Sequence, residues 1–121
     1  MNHIRGSGKD PYFPAQPLAD FSGSKWALPL AHRLVTTSSP LRFRELQRDI
    51  PGISGQELTR LLSRFIEQGL IIRYDNPDAV RRVEYRPSET LRSAAPVFSD
   101  LASWARSLAD ALSVSRHSER V

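Results

Sequence analysis

The stretch ISGQELTRLLSRFIEQGL, residues 53–70, predicts a helix with one buried face and one free face. Ser54 and Glu57 have the spacing of a capping box, which makes Ser54 the expected N-cap, and Gly69 supplies the expected end. Between these ends apolar side chains recur at steps of three and four, a stripe that must pack against a core. They are Leu58, Leu61, Leu62, Phe65 and Ile66.

The opposite face of this helix carries hydrogen-bonding and cationic side chains, concentrated towards its start. These side chains are Gln56, Thr59, Arg60, Ser63 and Arg64. Groups of this kind suit the base edges and the phosphates of DNA. An ordinary amphipathic helix with a solvated outer face would have the same composition, so the neighbouring elements must decide between the two interpretations.

The composition fits one globular domain and excludes several kinds of site. Of the 121 residues, 40% are apolar and 25% charged, and no apolar run approaches the roughly 20 residues that span a bilayer. No secretory signal is visible, so we expect a cytoplasmic protein without a membrane partner. The absence of cysteine excludes disulfides, thiolate nucleophiles and thiolate metal sites. His3, His32 and His117 have no ligand-like spacing, so we expect no metal and no cofactor.

The net charge of +4 comes mainly from arginine, since Lys9 and Lys25 are the only lysines. Arginine makes bidentate contacts with phosphates and with guanine edges, as a nucleic-acid partner would require. Coding preference could produce the same bias. The placement of the arginines therefore matters more than their number.

Residues 1–20 are expected to form an extended arm, because glycine, serine and proline interrupt them repeatedly. The first few residues could derive from cloning. The arm and the residue after it carry four large apolar side chains, which are Tyr12, Phe13, Leu18 and Phe21. A purely solvated tail would not carry these, so part of the arm is expected to pack on the body or on a second subunit.

The body of the domain, residues 21–114, is expected to begin with a largely buried helix, KWALPLAHRLV at residues 25–35. Pro29 would cost about 3 kcal/mol in a helix interior, so this helix either starts later or kinks. His32 lies beside Arg33 near the helix end, where a cation suits the helix dipole.

A second helix is expected over LRFRELQRDI, residues 41–50, followed by a proline-glycine turn and then by the helix that begins at Ser54. Helix, short turn and helix form the arrangement of a helix-turn-helix motif. Arg42 and Arg44 are expected to point away from the core.

Two β-rich segments, LIIRY at residues 70–74 and VRRVEYR at residues 80–86, are separated by turn residues and predict a two-stranded hairpin. Its arginines would make a basic ribbon beside the outer face of the preceding helix. They are Arg73, Arg81, Arg82 and Arg86. The alternative is a solvated strand face, partly paired with Asp75, Asp78 and Glu84.

The last element, residues 88–114, is predicted to be helical, with Pro96 either in the first turn of a separate helix or at a kink in a longer one. Its apolar stripe exceeds what a core of this size needs, so we interpret it as a dimer interface, with an intrachain role as the alternative. The stripe comprises Val97, Phe98, Leu101, Trp104, Leu108 and Leu112. Residues 115–121 are expected to form a flexible polar tail.

Four segments of the chain resemble the HxlR-type family of bacterial transcriptional regulators, in the family's order and spacing. They are GSKWALPLAHRL, RFRELQRDIPGIS, LTRLLSRFIEQGLIIRY and RRVEYRPSETLRSAAPVFSDLASWA. The similarity covers residues 23–105. Its most specific parts are the RFxELxRxIPGIS run, the pair Glu84-Tyr85, and the span from Pro96 to Trp104.

The order of elements and the resemblance imply a mainly α fold with a small β-hairpin (α+β), a winged helix-turn-helix with a long C-terminal dimerisation helix. The resemblance also implies a homodimer that binds double-stranded DNA at a pseudo-palindromic operator and regulates transcription. Carried over by position, the residues facing the DNA bases would be Ser54, Gln56, Thr59, Arg60 and Ser63. Backbone or minor-groove contacts are expected from Arg42, Arg44, Arg64, Arg81 and Arg82.

The chain departs from the family pattern at several places. Leu61 and Ser63 stand where a basic residue is usual in the recognition helix, so the base readout could differ. Thr90 and Leu91 replace the usual lysine-glycine turn after the second strand. Some members of the family sense oxidants through an N-terminal cysteine, and thiol sensing cannot operate in a chain without cysteine.

Two further interpretations remain beside DNA binding. The same wing and helix could form a protein interaction module that does not bind DNA specifically. A small-molecule effector could bind between the terminal helices and the body, near Tyr12, Trp26, Phe98 and Trp104, although aromatics at these spacings also suit a core. We expect no enzyme, because no nucleophile with a base, carboxylate pair or phosphate-binding glycine loop can be assembled.

Overall fold

The computed structural model describes residues 13–75, 77–78 and 82–120, with side chains described as far as residue 114. Within these ranges the chain forms six helices and a three-stranded antiparallel sheet. In chain order the elements are α1 (Ala15–Phe21), α2 (Ala27–Val35), β1 (Leu41–Arg42), α3 (Phe43–Asp49), α4 (Gly55–Glu67), β2 (Ile71–Asp75), β3 (Val83–Pro87), α5 (Glu89–Arg92) and α6 (Ala95–Arg120). The predicted winged helix-turn-helix, mainly α with a small β component, is confirmed.

A single hydrophobic core joins the central helices α2, α3 and α4 to the sheet and to the start of α6. Its largest fully buried side chains are Phe65, Leu30, Leu34, Leu46 and Leu58. Burying one side chain of this size stabilises the fold by about 1.5–3 kcal/mol. The predicted apolar stripe of α4 is buried except for Ile66, which lies at the margin of the core.

Both ends of α4 are fixed by the hydrogen bonds that the sequence predicts. At the start, Ser54 Oγ accepts from the Glu57 amide at 3.0 Å, and Glu57 Oε1 accepts from the Ser54 amide at 2.9 Å. At the end, Gly69 has a φ of 74°, its amide donates to Ile66 O, and the Leu70 amide donates to Phe65 O. This pair of bonds is a Schellman motif, so α4 is closed at both ends.

The turn between α3 and α4 packs tightly against Trp26. Gly52 in this turn has a φ of 95°, in the left-handed region that a side chain disfavours. A Cβ at this position would lie 3.2 Å from Cη2 of the Trp26 ring. The turn therefore needs glycine both for its backbone conformation and for the approach of the indole.

The helix α2 begins later than the sequence segment alone would place it. Its first residue is Ala27, so Pro29 falls at the third position, where an amide has no intrahelical partner to lose. Of the two alternatives left open by the sequence, the late start is the one observed.

Part of the N-terminal arm is helical, which corrects the prediction of an extended segment up to residue 20. The helix α1 spans Ala15–Phe21, with Pro17 tolerated in its first turn. Phe21 stacks on Phe65 and on Phe98, with ring centroids 5.5 Å and 5.9 Å apart. Residues 1–12, including the predicted contact residue Tyr12, lie outside the described part of the chain.

The sheet has a third strand that the sequence analysis assigned to a helix. Leu41 and Arg42 form β1 and pair with Tyr85 and Glu84 of β3. The helix begins only at Phe43, because the Arg42 amide donates to Glu45 Oε1 at 2.8 Å and so caps it there. The predicted hairpin is otherwise present.

The two hairpin strands pair in register, with Ile71 opposite Pro87 and Asp75 opposite Val83. The second strand begins at Val83, three residues later than predicted. Arg81, one of the predicted DNA-contacting residues, lies outside the described residues.

The C-terminal region contains two helices, and Pro96 is the second residue of the longer one, α6. This helix runs to Arg120, so residues 115–120 are helical, and the flexibility expected for this segment stays a prediction. The tail lacks proline and glycine, so no residue in it stops the helix. None of the described helices has both the length and the hydropathy of a bilayer-spanning segment.

Only the start of α6 packs on the body of the domain. Phe98 is 9% exposed and belongs to the core, which corrects its assignment to the dimer interface. Leu101 is half-buried. From residue 103 to residue 114 every side chain is exposed, including Trp104 at 58% and Leu112 at 46%. An apolar stripe therefore extends beyond the protomer core.

Replacing Gly52 by alanine is expected to destabilise the fold more than replacing Gly69. Both glycines have positive φ, so each alanine should lower the free energy of unfolding by about 1–2 kcal/mol. Only at Gly52 would the new methyl group also press on Trp26. Chemical denaturation of both variants measures the difference, and equal losses would show that the indole does not constrain the turn.

Candidate nucleic-acid interface

The outer face of α4 brings the predicted base-contacting residues together on the surface. Gln56, Thr59, Arg60 and Ser63 are exposed and line one shallow depression together with Gly55. The fifth predicted residue, Ser54, is also exposed but serves as the N-cap, where its hydroxyl accepts a hydrogen bond. No hydrogen bond or ion pair engages the side chains of the other four within the described residues. They are free to bind another molecule.

The same face continues onto the sheet, at two residues that were not among the predicted site residues. Thr59 and Ser63 line a second depression with Arg73 of β2 and Tyr85 of β3. The Arg73 side chain is 54% exposed, and its Nη2 lies 3.9 Å from Asp75 Oδ1. Arg73 appeared in the sequence only as one arginine of the basic ribbon, and only the packing of the hairpin against α4 places it here.

The predicted backbone-contacting arginines have different environments. Arg42 and Arg44 are exposed where β1 meets α3, and Arg82 is exposed immediately before β3. Further along the wing, the Arg86 guanidinium lies 5.8 Å from the centroid of the Tyr74 ring, on a face where Tyr74 is exposed. The three predicted arginines thus lie on accessible surface.

Arg64 is half-buried, unlike these exposed arginines, and its predicted contact with a DNA phosphate stays a prediction. Its Nη1 and Nη2 atoms lie 3.9 Å from the position that a Cβ on Gly23 would occupy. Its Nε and Nη2 atoms are buried and have no hydrogen-bond partner. The position of Arg64 in the last turn of α4 directs its side chain under the segment between α1 and α2 rather than outward.

Glu57 holds the start of α4 against the segment before α2. Its second carboxylate oxygen accepts a hydrogen bond from Trp26 Nε1 at 3.1 Å. Hydrogen bonds from the Ser54 amide, from the Trp26 indole and with the Ser54 side chain lower the pKa of Glu57 below its ordinary value, and Lys25 adds a favourable charge. The anionic form is thus the form that positions the recognition helix.

Asp49 makes the equivalent connection between α2 and α3. Its two oxygens accept from Arg33 Nε at 2.8 Å and from Arg48 Nε at 3.0 Å. Hydrogen bonds from Arg48 and Arg33 lower the pKa of Asp49. Arg48 is therefore engaged within the domain and differs in this respect from the arginines around α4.

The interface offers hydrogen-bond donors, acceptors and cations to a partner. Among the residues that the structure describes, no three histidine or carboxylate side chains form a group that could hold a metal ion. The arrangement can bind an anionic partner and read hydrogen-bonding edges along it.

Comparison with known proteins gives concordant results. The sequence profile described as HxlR-like helix-turn-helix matches residues 21–113. An uncharacterised HTH-type transcriptional regulator of Halalkalibacterium halodurans is 29% identical over 82 residues, which are 68% of this chain and 72% of that protein.

Two solved structures are similar across most of the fold. A MarR-family transcriptional regulator from Porphyromonas gingivalis is 27% identical, with a TM-score of 0.69 over 80% of this chain and 93% of the other. The redox regulator HypR in its reduced form is also 27% identical, with a TM-score of 0.73 over 84% and 99%. The Halalkalibacterium halodurans and Porphyromonas gingivalis proteins are described as transcriptional regulators, and HypR as a redox regulator.

Replacing Glu57 by glutamine is expected to make the free energy of unfolding fall less steeply as the pH is lowered into the acid range. Because the folded pKa of Glu57 lies below its ordinary value of 4.5, the carboxylate stabilises the fold above about pH 4.5. This contribution is lost as pH falls through the lower folded pKa. Glutamine keeps the capping geometry but does not titrate.

Urea denaturation between pH 7 and pH 3 measures how the free energy of unfolding depends on pH. Asp49→Asn removes another carboxylate with a lowered pKa and should independently reduce this dependence. The free energy of unfolding of the double variant should then depend less on pH than that of either single variant. If the free energy of unfolding of Glu57→Gln depended on pH in the same way as that of the unmodified chain, the Glu57 carboxylate would not stabilise the fold as described.

Proposed function

Because the chain belongs to the HxlR-like helix-turn-helix family, it is a DNA-binding transcriptional regulator, and we propose that it acts as a homodimer on a pseudo-palindromic operator. In this proposal it works in the cytoplasm, associated with the nucleoid. Each protomer places α4 in the major groove and the hairpin on the flanking backbone or minor groove.

The observation that carries the proposal is the free outer face of α4. Gln56 and Arg60 are the best hydrogen-bond donors to base edges on that face, with Thr59 and Ser63 beside them. Both ends of α4 are capped, so the helix presents these side chains from a rigid backbone. Because the backbone is already rigid, less conformational entropy is lost when these side chains bind.

The surrounding arginines suit phosphates. Arg42 and Arg44 lie at the start of α3, Arg73 lies on β2 beside α4, and Arg82 lies at the base of the wing. Contacts of this kind fix the orientation of the protein and carry no sequence information directly. In our proposal they supply the salt-dependent part of the affinity.

The distal part of α6 supports the dimer. Trp104, Leu108 and Leu112 follow one another at steps of four, and each is at least 40% exposed. Most of the stability of a helix in a protein comes from packing of its apolar face, so the apolar stripe needs a second surface. A two-fold partner would cover it and would set the half-sites about 34 Å apart, roughly one helical turn.

Selection from a random DNA duplex pool tests the proposal, because it reads DNA binding, symmetry and spacing together. We expect a pseudo-palindrome with half-sites about one turn apart. Enrichment of no sequence, or of a single asymmetric half-site, would contradict the proposed mode of binding.

Variants at Arg60 and Arg82 are expected to separate base contacts from phosphate contacts. On the selected operator, Arg60→Ala should lose about 1–3 kcal/mol of discrimination between the correct and the wrong base pair at one position. Arg82→Ala should weaken binding to all sequences alike and reduce the salt slope by about one. Titrations at two salt concentrations give both quantities. Identical behaviour of the two variants would contradict this division.

Replacing Leu108 by aspartate is expected to dissociate the dimer, because it places a charge in the middle of the apolar stripe. Ser103→Asp adds the same charge on another side of α6 and is the matched control. Sedimentation velocity over a range of concentrations should show monomers for the first variant and dimers for the second. Dimers in both would exclude this stripe as the interface.

A further inference from the structure

A depression of about 430 Å³ lies where the hairpin packs against α4. Its polar lining consists of Thr59, Ser63, Arg73 and Tyr85, and none of the described residues around it is acidic. We propose that this depression holds one phosphate of the operator backbone, which the hydroxyls of Tyr85, Thr59 and Ser63 bind beside Arg73. The inference rests on the proposed function and adds to it a residue, Tyr85, that fixes the position of α4.

Arg73 and Tyr85 form the wall of the depression that belongs to the sheet. They are direct partners in the antiparallel pairing of β2 and β3, so their side chains leave the same face of the sheet, with Cβ atoms about 5 Å apart. The Tyr85 hydroxyl has no hydrogen-bond partner among the described residues. It nevertheless reaches solvent, because the buried side-chain atoms without a partner in the described chain belong to Arg64 alone. A cation and a free hydroxyl thus lie side by side.

Thr59 and Ser63 form the wall that belongs to α4. They are four residues apart and therefore neighbours on the helix surface, with Cβ atoms about 6 Å apart. A hydroxyl on a helix often donates to the carbonyl of the preceding turn, as the Ser22 hydroxyl does to Leu18 O at 2.7 Å. Within the described chain Thr59 and Ser63 make no such bond. Their hydroxyls are available to a ligand.

This combination of groups matches a phosphate diester. Arginine, serine, threonine and tyrosine are all side chains that bind phosphate oxygens in protein–DNA complexes. Hydroxyl groups can donate to an anionic oxygen without adding charge. The depression therefore offers one positive charge and three neutral donors, and each diester of the DNA backbone carries one negative charge.

The position of these groups on α4 favours the backbone over the bases. A helix with its side chains is about 10–12 Å wide, and the major groove is about 12 Å wide, so the flanks of a helix in the groove meet the backbone. Thr59 lies on the flank towards the sheet, whereas Arg60, about 100° further round the helix, lines the opposite flank with Trp26. In this inference base reading is left to Gln56 and Arg60.

Tyr85→Phe removes the hydroxyl and keeps the ring. On the selected operator this variant should bind at least about fivefold more weakly, and equally so on mismatched duplexes, because a hydrogen bond to a charged group is lost. The salt slope should stay unchanged, because no cation is removed. Tyr74→Phe removes the same group on the opposite face of the sheet and should leave the affinity unchanged. Both variants should keep the Tm of the unmodified chain.

A methylphosphonate scan of the operator identifies the phosphate. Each phosphate in turn is replaced by an uncharged methylphosphonate, and the affinity is measured for the unmodified chain and for Tyr85→Phe. In each half-site one replacement should weaken binding by the unmodified chain at least about fivefold and weaken Tyr85→Phe much less. At other sensitive phosphates the two proteins should lose affinity alike. The same profile for both proteins would overturn the inference.

Thr59→Val tests the wall formed by α4. Because the lost hydroxyl would bind the backbone, binding should weaken about equally on every duplex and the selected sequence should not change. A relaxed preference at one base pair would assign Thr59 to base reading and overturn its place in this site. Failure of the unmodified chain to bind any duplex would refute the proposed function and the inference with it. Full affinity of Tyr85→Phe for an operator that the unmodified chain recognises would overturn the inference alone.

Discussion

The hydrogen bond between Trp26 and Glu57 is the contact on which the geometry of the interface depends. It joins the segment before α2 to the first turn of α4, at the point where Glu57 also caps that helix. The same indole lies over Gly52 and so shapes the turn before α4. A single side chain thus contacts both the start of α4 and the turn that precedes it.

Features determined by local sequence could be predicted well. The limits of α4 follow from its capping box and from Gly69, and its buried stripe follows from the spacing of leucines, because these signals act within one or two turns. Features that depend on distant residues could not be predicted. The strand at Leu41 exists because it pairs with Tyr85, and α1 is held where Phe21 stacks on Phe65.

The candidate interface shows the same division. The exposed face of α4 follows directly from helical periodicity, so its four free side chains could be named from the sequence. Arg64 was placed on that face because it is polar, but its side chain turns towards Gly23, and only the path of the chain before α2 reveals this. Arg73 was expected in the basic ribbon beside this helix but not among the DNA-contacting residues, since the packing of the hairpin decides which of its arginines lies beside α4.

The length of α6 has a consequence for how the regulator would respond to its own abundance. Its 26 residues extend about 39 Å, and every side chain from residue 103 to residue 114 is exposed on the protomer. In a dimer formed through this part, helix formation and association are linked by mass action. Operator occupancy would then rise more steeply than in proportion to protein concentration. The exposed half of one helix would thus give the proposed dimer a concentration threshold for action.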